Sequence, residues 1–504
     1  DNTAADAPGN SGYKPYIDVI IPSTGSDGYD GVSFDSATFL GSTVDSTAVV
    51  FDVNGNATHP FAVDGTNTPL VLTGTPGDTL LVLELPYGSF SPGNPAVDID
   101  LKLDFSNLAD INDDFTLSAI GGFALGSDAQ DNPTTDTPIR AAAATTSTIA
   151  QDLFTVAKSN TAPEADAASG PSYPYKYTLT VDVADDQKLT NFKLTDTLPP
   201  EIVFLGGVTI TGGTGGTITT QPPINTLVTA PADQLVIDFT EVEGKVTVVF
   251  DYYINEVSST GGNVINTASG DEAAVTNSVT GAGLWQPLDA ADAQTTVSKT
   301  ATDVVQARSI SIQKGEKVFK DENVSGTSPA DIYEFTLDVQ VSDYFTMGDL
   351  TVTDVLGNGW EFLDRTDGDF LATFTTVEQG QSITTDVVFN AADLIVTDLT
   401  QGRTELKFDL SAAMIRAGQD GLLAGDHAQD GSDDGNKTTA QIKYRAKIKE
   451  AFDPAAPGIN DPAVSQGDSL LNNVTITSTV RDNADPNNNA GAVLATEDDT
   501  SQVK

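Results

Sequence analysis

The chain has 504 residues, which is enough for about three domains of ordinary size. Its 72 acidic residues outnumber 24 basic ones, and the formal net charge of −48 argues against binding to nucleic acids or anionic membrane surfaces. The absence of cysteine excludes disulfides, thiolate metal sites and a cysteine nucleophile, and the two histidines lie outside metal-binding spacings.

The composition also bears on where the protein is found. The sequence has no window of about 18 apolar residues, so no membrane insertion is predicted. It is rich in Asp, Thr, Gly and Ala and poor in Lys and aromatic residues. This composition favours an extracellular protein displayed on a bacterial cell surface.

Alternation of apolar and polar residues predicts β-strands along the whole chain. It is clearest at residues 97–105, 177–183, 246–252 and 335–341, and clusters of Gly, Asn, Asp and Pro separate such runs. Helical periodicity is confined to about residues 411–418. The pattern predicts an all-β protein built of antiparallel sandwiches.

An internal repeat defines the domain organisation. Tyr175–Val183 matches Tyr333–Val341 at an offset of 158 residues, and the same offset relates Asp196 to Asp354. We therefore predict an N-terminal all-β domain at 1–148, a first β-sandwich repeat at 149–305 and a second repeat at 306–504.

A late asparagine matches between the repeats at a larger offset. Asn266 in the first copy corresponds to Asn472 in the second copy at an offset of 206 residues. The second repeat therefore carries a predicted insertion of about 48 residues, the difference between 206 and 158. An acidic, glycine-rich stretch at 426–436 belongs to this insertion.

In each repeat a lysine, an aspartate and an asparagine lie in phase with the apolar side of a predicted strand. They are Lys158, Asp196 and Asn266 in the first copy and Lys314, Asp354 and Asn472 in the second. The alternation predicts that all three side chains of a repeat enter one core.

Buried charges are costly unless they are paired or neutralised. Desolvation lowers the pKa of a lysine and raises that of an aspartate, so the pair can become a neutral amine and a protonated acid. Such an amine can attack the asparagine carbonyl while the acid moves protons and ammonia leaves. The product is an isopeptide bond that clamps a cysteine-free domain. Alternatively, the lysine reaches solvent at an edge and the other two residues cap turns.

The order of these motifs resembles known families. A strand lysine precedes Y-K-Y-T-L-T-V-D-V, L-T-D-T-L-P at 194–199 and I-N-T-A at 265–268. This order resembles the immunoglobulin-like repeats of large bacterial surface proteins and the isopeptide-forming domains of Gram-positive fimbrial subunits, over about residues 152–504. The resemblance implies tandem antiparallel immunoglobulin-like β-sandwiches in which the lysine is linked to the asparagine and the aspartate assists.

The second copy departs from the family pattern in two places. It has T-D-V-L-G in place of T-D-T-L-P, and its asparagine is doubled, so Asn473 is an alternative to Asn472. Lys317 is an alternative to Lys314 because Gly315 permits a bulge between them.

Calcium is a candidate cofactor. Asp430, Ser432 and Asp434 have the spacing of the first ligands of a calcium loop, but Gln441 stands where an EF-hand has glutamate. Solvated acidic turns explain the same residues without a metal. The large negative charge favours some binding of divalent ions.

The sequence therefore predicts an extracellular structural protein of a bacterial surface, a stalk, fibre, filament or surface-layer subunit. Its partners would be copies of itself or neighbouring repeats. The alternative is a surface adhesin or lectin-type module that binds a glycan or host ligand through loops, most plausibly those of the insertion. We predict no enzyme, since the sequence lacks a G-x-S-x-G elbow, a phosphate-binding loop and a dinucleotide fingerprint.

Overall fold

The computed structural model confirms the all-β prediction with 36 strands and one short helix in the residues that it describes. These residues are 11–25, 31–63, 68–92, 94, 97–109, 111, 114–126, 139–141, 143–163, 166–264, 273–289, 292–321, 328–363, 371–378, 381–426, 435–456, 463–465, 468–481 and 489–503. In this part of the chain no helix is long and apolar enough to span a membrane.

The N-terminal domain contains thirteen strands within its described residues. They are β1 (Gly12–Tyr13), β2 (Pro15–Ile21), β3 (Val32–Phe39), β4 (Ser42–Thr43), β5 (Asp45–Val50), β6 (Asn56–Val63), β7 (Pro69–Thr73), β8 (Thr79–Glu84), β9 (Ser89–Phe90), β10 (Asp100–Phe105), β11 (Asp114–Phe123), β12 (Ile139–Arg140) and β13 (Thr145–Ala150).

The main sheet of this domain is buried on both faces. Its order is β12-β11-β2-β8-β5, and β13 also pairs with β11. Leu81 and Leu83 of β8 face a core shared with β3, whereas Leu80 and Val82 face a second core shared with β6. Burial on both faces explains why the sequence of β8 is a continuous apolar run without alternation.

The histidine of the N-terminal domain belongs to a buried polar network. His59 Nε2 lies 2.9 Å from Asp18 Oδ1, and its Nδ1 accepts the backbone N–H of Ala62 at 2.8 Å. Asp18 Oδ2 accepts a hydrogen bond from Arg140 Nε at 3.0 Å. Both ring nitrogens are thus engaged, so His59 holds β2 and β6 together. His427 lies outside the described residues.

The first repeat is a sandwich of two antiparallel sheets, with one short parallel pairing. Its strands are β14 (Phe154–Asn160), β15 (Asp166–Ala168), β16 (Tyr175–Val183), β17 (Leu189–Thr197), β18 (Ile202–Thr211), β19 (Thr217–Thr220), β20 (Thr226–Leu227), β21 (Gln234–Val242), β22 (Lys245–Ile254), β23 (Ala273–Trp285) and β24 (Thr295–Arg308). One sheet has the order β14-β16-β22-β18-β20, and the other has β15-β24-β23-β17-β21-β19. Alternate residues of β16 and β22 are buried between the sheets, as the sequence pattern predicts.

The second repeat has the same arrangement with additional strands. They are β25 (Ile310–Lys320), β26 (Ile332–Val341), β27 (Thr346–Leu356), β28 (Trp360–Phe362), β29 (Leu371–Glu378), β30 (Gln381–Val388), β31 (Leu394–Asp398), β32 (Thr404–Asp409), β33 (Leu423–Ala424), β34 (Gly435–Ile448), β35 (Leu470–Arg481) and β36 (Asn489–Val503). One sheet has the order β25-β26-β34-β29-β30, with β28 on β34. The other has β31-β32-β27-β35-β36, with β33 on β27.

The helix of the described residues, α1 (Leu410–Arg416), follows β32 and confirms the helical prediction for this part of the sequence. Its N-cap residue Asp409 accepts a hydrogen bond from the backbone N–H of Ala412 at 2.8 Å. Leu410, Ala413 and Met414 form its buried face.

A buried aspartate of the second repeat holds a loop of the first repeat. Asp343 Oδ2 accepts the backbone N–H of Ser172 at 2.7 Å, and its Oδ1 accepts that of Asp426 at 3.2 Å. The backbone N–H of Asp343 donates to the carbonyl of Ser169 at 2.9 Å. Gly170 has a φ of +130°, and a Cβ there would lie 2.4 Å from the Asp343 carboxylate. The junction therefore requires glycine at this position.

Two tyrosines make reciprocal hydrogen bonds across the same junction. Tyr173 donates to the carbonyl of Val341 at 2.8 Å, and Tyr344 donates to the carbonyl of Ile254 at 2.8 Å. Lys437 Nζ lies 3.9 Å from the centre of the Tyr173 ring. These contacts make the two repeats continuous through one buried interface.

We expect the stability of the junction to depend on pH through Asp343. Burial raises the pKa of this carboxyl from its ordinary 3.8 to about 6. A pKa raised by folding gives a stabilising contribution that is complete below the unfolded pKa and is lost as the pH rises through the folded pKa. The contribution should therefore fall by about 2 kcal/mol between about pH 4 and pH 7.

Urea unfolding of the wild type and of Asp343→Asn across this pH range measures the effect. The stability of the wild type relative to the variant should decrease as the pH rises. A difference that is constant with pH would contradict the assignment, because asparagine does not titrate.

Candidate crosslinking sites

In the second repeat, four buried side chains form one hydrogen-bonded chain. Lys314 on β25 donates from Nζ to both oxygens of Asp354 on β27, each at 2.7 Å. Tyr444 on β34 donates its hydroxyl to Asp354 Oδ2 at 2.8 Å and accepts a hydrogen bond from Asn472 Nδ2 at 2.7 Å. Asn472 Oδ1 is buried without a hydrogen bond to any described residue. The lysine thus contacts Asp354 directly, and the asparagine is connected to the same carboxyl group through the Tyr444 hydroxyl.

The first repeat holds a matching lysine and aspartate. Lys158 on β14 donates from Nζ to Asp196 Oδ2 on β17, and both side chains are 0% exposed. Lys158 Nζ also lies 4.3 Å from the centre of the Tyr177 ring. Asn277 on β23 is fully buried and interacts with Asp196 and Tyr177, but neither of its amide atoms makes a hydrogen bond of good geometry to a described residue.

The strand register makes Asn277 the equivalent of Asn472. Asn277 lies two residues before Val279, which is the partner of Asp196 in the pairing of β17 with β23. Asn472 stands in the same relation to the partner of Asp354 in the pairing of β27 with β35. Each asparagine therefore occupies the same place beside its aspartate.

This equivalence differs from the one drawn from the sequence. The sequence comparison equates Asn472 with Asn266, which lies outside the described residues. Both Asn277 and Asn472 begin an N-x-V-T sequence, at 277–280 and 472–475, and this short signal was missed. The offset becomes 195 residues, so the insertion becomes 37 residues, the difference between 195 and 158.

Burial distinguishes between the alternative lysines and the alternative asparagines of the second repeat. Lys314 and Asn472 are buried, whereas Asn473 is exposed. Lys317 is also exposed, and its Nζ lies 2.9 Å from Oε1 of the largely buried Glu334. The structure therefore brings Lys314, and not Lys317, to the buried aspartate.

Burial favours the neutral forms of both aspartates and of Lys158. Burial raises the pKa of Asp196, against the opposing effects of Lys158 and, to a smaller degree, Asn277. Burial likewise raises the pKa of Asp354, and it lowers the pKa of Lys158. A neutral amine is a nucleophile and a protonated carboxyl is a proton donor, so each site holds the groups that amide exchange requires.

The calcium candidates Asp430, Ser432 and Asp434 lie outside the described residues. Among the residues that the structure describes, no cluster of three or more histidine, aspartate or glutamate side chains could hold a metal ion. Calcium binding at the acidic loop stays a prediction from sequence.

Comparisons with known proteins give distant likenesses. No family model and no curated protein matches the chain. Among solved structures, the major pilin subunit BcpA of Bacillus cereus is 12% identical, with 92% of this chain and 95% of that chain covered, at a TM-score of 0.22. The collagen-binding MSCRAMM ACE of Enterococcus faecalis is 14% identical, with 66% and 90% covered, at a TM-score of 0.20.

A third similar structure is the collagen-binding domain of the Erysipelothrix rhusiopathiae surface protein RspB. It is 14% identical, covers 69% of this chain and 95% of that chain, and has a TM-score of 0.18. Pilins and surface adhesins are the classes that the sequence resemblance names. TM-scores near 0.2 are too low to support an argument, so the fold assignment rests on the sheets described above.

Removing the acid of one site should be strongly destabilising. Asp354→Ala removes the carboxyl group that pairs with the buried Lys314 amine, and we expect a loss of roughly 3–5 kcal/mol in the free energy of unfolding. As a control, Glu361→Ala removes the partially exposed ion pair with Lys447 in the same repeat, which should cost less than about 1 kcal/mol.

Urea unfolding followed by the fluorescence of Trp360, which is buried in the second repeat, measures both losses. Similar effects of the two substitutions would contradict the buried pairing.

Proposed function

We propose that the protein is an extracellular structural component of a bacterial surface, a stalk, fibre or filament subunit whose two repeats are each closed by an autocatalytic isopeptide bond. The bonds join Lys158 to Asn277 and Lys314 to Asn472. The observation that carries the proposal is the occurrence, twice and in the same register, of a buried lysine and aspartate beside a buried asparagine.

The reaction exchanges one amide for another. The neutral lysine amine attacks the asparagine Cγ, the protonated aspartate donates a proton to the departing Nδ2 and accepts one from the amine, and ammonia leaves. One C–N bond forms as another breaks, so no oxidant or cofactor is consumed. The buried aspartates are suited to this role because desolvation favours their protonated form.

The positions of the bonds support a mechanical role. In each repeat the lysine is on the first strand of one sheet, and the asparagine is on the strand before last in the opposite sheet. A covalent bond there joins the two sheets and encloses residues 158–277 in one repeat and 314–472 in the other. Tension along the chain would then pass through the bond, and the enclosed strands would not be pulled apart.

The junction supports assembly from repeats. It lets successive repeats pack end to end within a chain, while a net charge of −48 keeps separate chains soluble through mutual repulsion. Partners are therefore further repeats or copies of the same kind. Composition and the family resemblance support the extracellular location.

A surface adhesin is the second candidate, and one observation favours it. Apolar side chains lie in solvent on the two edge strands β30 and β31 of the second repeat. They are Ile383, Val388, Ile395 and Val396. Unpaired edges with exposed apolar residues are suited to contact with another molecule. Binding of a glycan or host protein that maps to these strands would support this candidate.

The intact mass of the denatured protein tests the proposed bonds. Two bonds expel two ammonia molecules, so the measured mass should lie about 34 Da below the mass calculated from the sequence. Lys158→Ala and Lys314→Ala should each remove one deficit of about 17 Da, and the double substitution should remove both. A wild-type mass equal to the calculated value would overturn the proposal.

A second pair of variants identifies the asparagine of the first repeat. Asn277→Ala should abolish the bond to Lys158 and remove a deficit of about 17 Da, whereas Asn266→Ala should leave the full deficit. Tandem mass spectrometry of the linked tryptic peptides provides an independent readout. The opposite pattern would restore Asn266 as the partner.

A further inference from the structure

The two crosslinking sites differ in one cross-strand aromatic pair. In the second repeat Phe335 of β26 is opposite Tyr444 of β34, with ring centres 5.2 Å apart. In the first repeat Tyr177 of β16 is opposite Phe250 of β22, with ring centres 5.6 Å apart. Each pair has one tyrosine and one phenylalanine, but on exchanged strands. The ring volume is conserved while the hydroxyl is moved.

The exchange changes what the hydroxyl contacts. Tyr444 bridges Asp354 and the amide nitrogen of Asn472. In the first repeat, by contrast, several buried polar atoms have no hydrogen bond to any residue that the structure describes. They are the Tyr177 hydroxyl, Asp196 Oδ1 and both amide atoms of Asn277. The Tyr444 hydroxyl therefore bridges the acid and the asparagine in the second repeat, whereas in the first repeat Asn277 interacts with Asp196 and Tyr177 without a hydrogen bond of good geometry to either.

We propose that Tyr444 is a catalytic residue that relays a proton from Asp354 to Asn472 Nδ2 as this nitrogen leaves as ammonia. The inference rests on the isopeptide chemistry proposed above. It follows that the second repeat closes its bond faster than the first repeat, in which Phe250 occupies the equivalent position.

Every bond and proton is accounted for in the relay. The Lys314 amine forms a bond to Cγ of Asn472 and gives one of its protons to Asp354 Oδ1. Attack at Cγ makes Nδ2 pyramidal and able to accept a proton, and with Asp354 protonated on Oδ2 both hydrogen bonds of Tyr444 reverse. The proton on Asp354 Oδ2 moves to the Tyr444 oxygen, and the tyrosine proton moves to Nδ2. The Cγ–Nδ2 bond then breaks, and ammonia, the new amide, protonated Asp354 and neutral Tyr444 remain. Both oxygens of Asp354 are within hydrogen-bond distance of the lysine, and Oδ2 also contacts the tyrosine.

The need for a relay follows from the leaving group. An amide nitrogen departs readily only when it is protonated, and positioned proton donors accelerate such steps by roughly 10²–10⁴-fold. Tyr444 retains its proton, because burial and the adjacent Asp354 hold its pKa well above the ordinary value of 10.0. The hydroxyl is therefore available both to donate a proton and to accept one.

The test follows bond formation in newly made protein. The full chain is synthesised in a cell-free system, samples are stopped in denaturant at intervals, and linked tryptic peptides from each repeat are quantified by mass spectrometry. Tyr444→Phe should slow the bond of the second repeat by roughly 10²-fold. The bond of the first repeat should form at an unchanged rate, so this rate serves as the internal control.

A matched exchange in the first repeat tests for a gain of rate. Tyr177→Phe combined with Phe250→Tyr gives the first repeat the aromatic arrangement of the second, and its bond should then form faster than in the wild type. This variant conserves the total volume of the two rings. It can therefore test the relay even if Tyr444→Phe does not fold. If the relay operates, deuterated water should slow bond formation in the second repeat more than in the first repeat.

The outcomes separate the two proposals. If no linked peptide forms in the wild type, the isopeptide function fails and the relay fails with it. If the bond of the second repeat forms equally fast in Tyr444→Phe, the relay is overturned while the isopeptide function stands. No gain of rate in the exchanged first repeat would also overturn the relay.

Discussion

Each repeat is organised around a lysine and an aspartate that pair where water cannot reach them. Removing a lysine and a carboxylate from water costs several kcal/mol for each group, and their mutual attraction recovers this only with close geometry. That geometry exists because β14 and β25 present their lysines at one register position and β17 and β27 present their aspartates opposite. A shift of one residue in any of these strands would turn the charged group to the solvent side and remove its partner.

This constraint explains how much of the site could be predicted. Strand alternation requires only neighbouring residues in the sequence, so the burial of Lys158, Asp196, Lys314 and Asp354 was foreseen. The same reasoning foresaw the four clear strands and α1. The asparagine of the first repeat was harder to find, because its identity depends on the pairing of β17 with β23, and the shared N-x-V-T signal is four residues long.

Two other features depend on contacts between residues far apart in the sequence, which the periodicity of a single strand cannot reveal. Tyr444 reaches Asp354 from a different strand, and the tyrosine occupies opposite strands in the two repeats, so an alignment shows only two aromatic substitutions. The junction is a similar case. Asp343 follows a strand in a polar turn, and its position in sequence resembles that of any solvated turn residue. Its burial comes from a loop about 170 residues earlier, which no local pattern links to it.

The junction also determines how the two repeats can move. The chain passes from β24 into β25 through Ser309, and a connection at one point would let one repeat swivel on the other. The loop that holds Asp343 adds a second attachment, and β15, which precedes this loop, pairs in parallel with the last residues of β24. Both attachments therefore start from the same edge of the first repeat. The hydrogen bond from Tyr344 to Ile254 at the end of β22 adds a third attachment, on the opposite sheet of the first repeat, so the junction resists both twisting and bending.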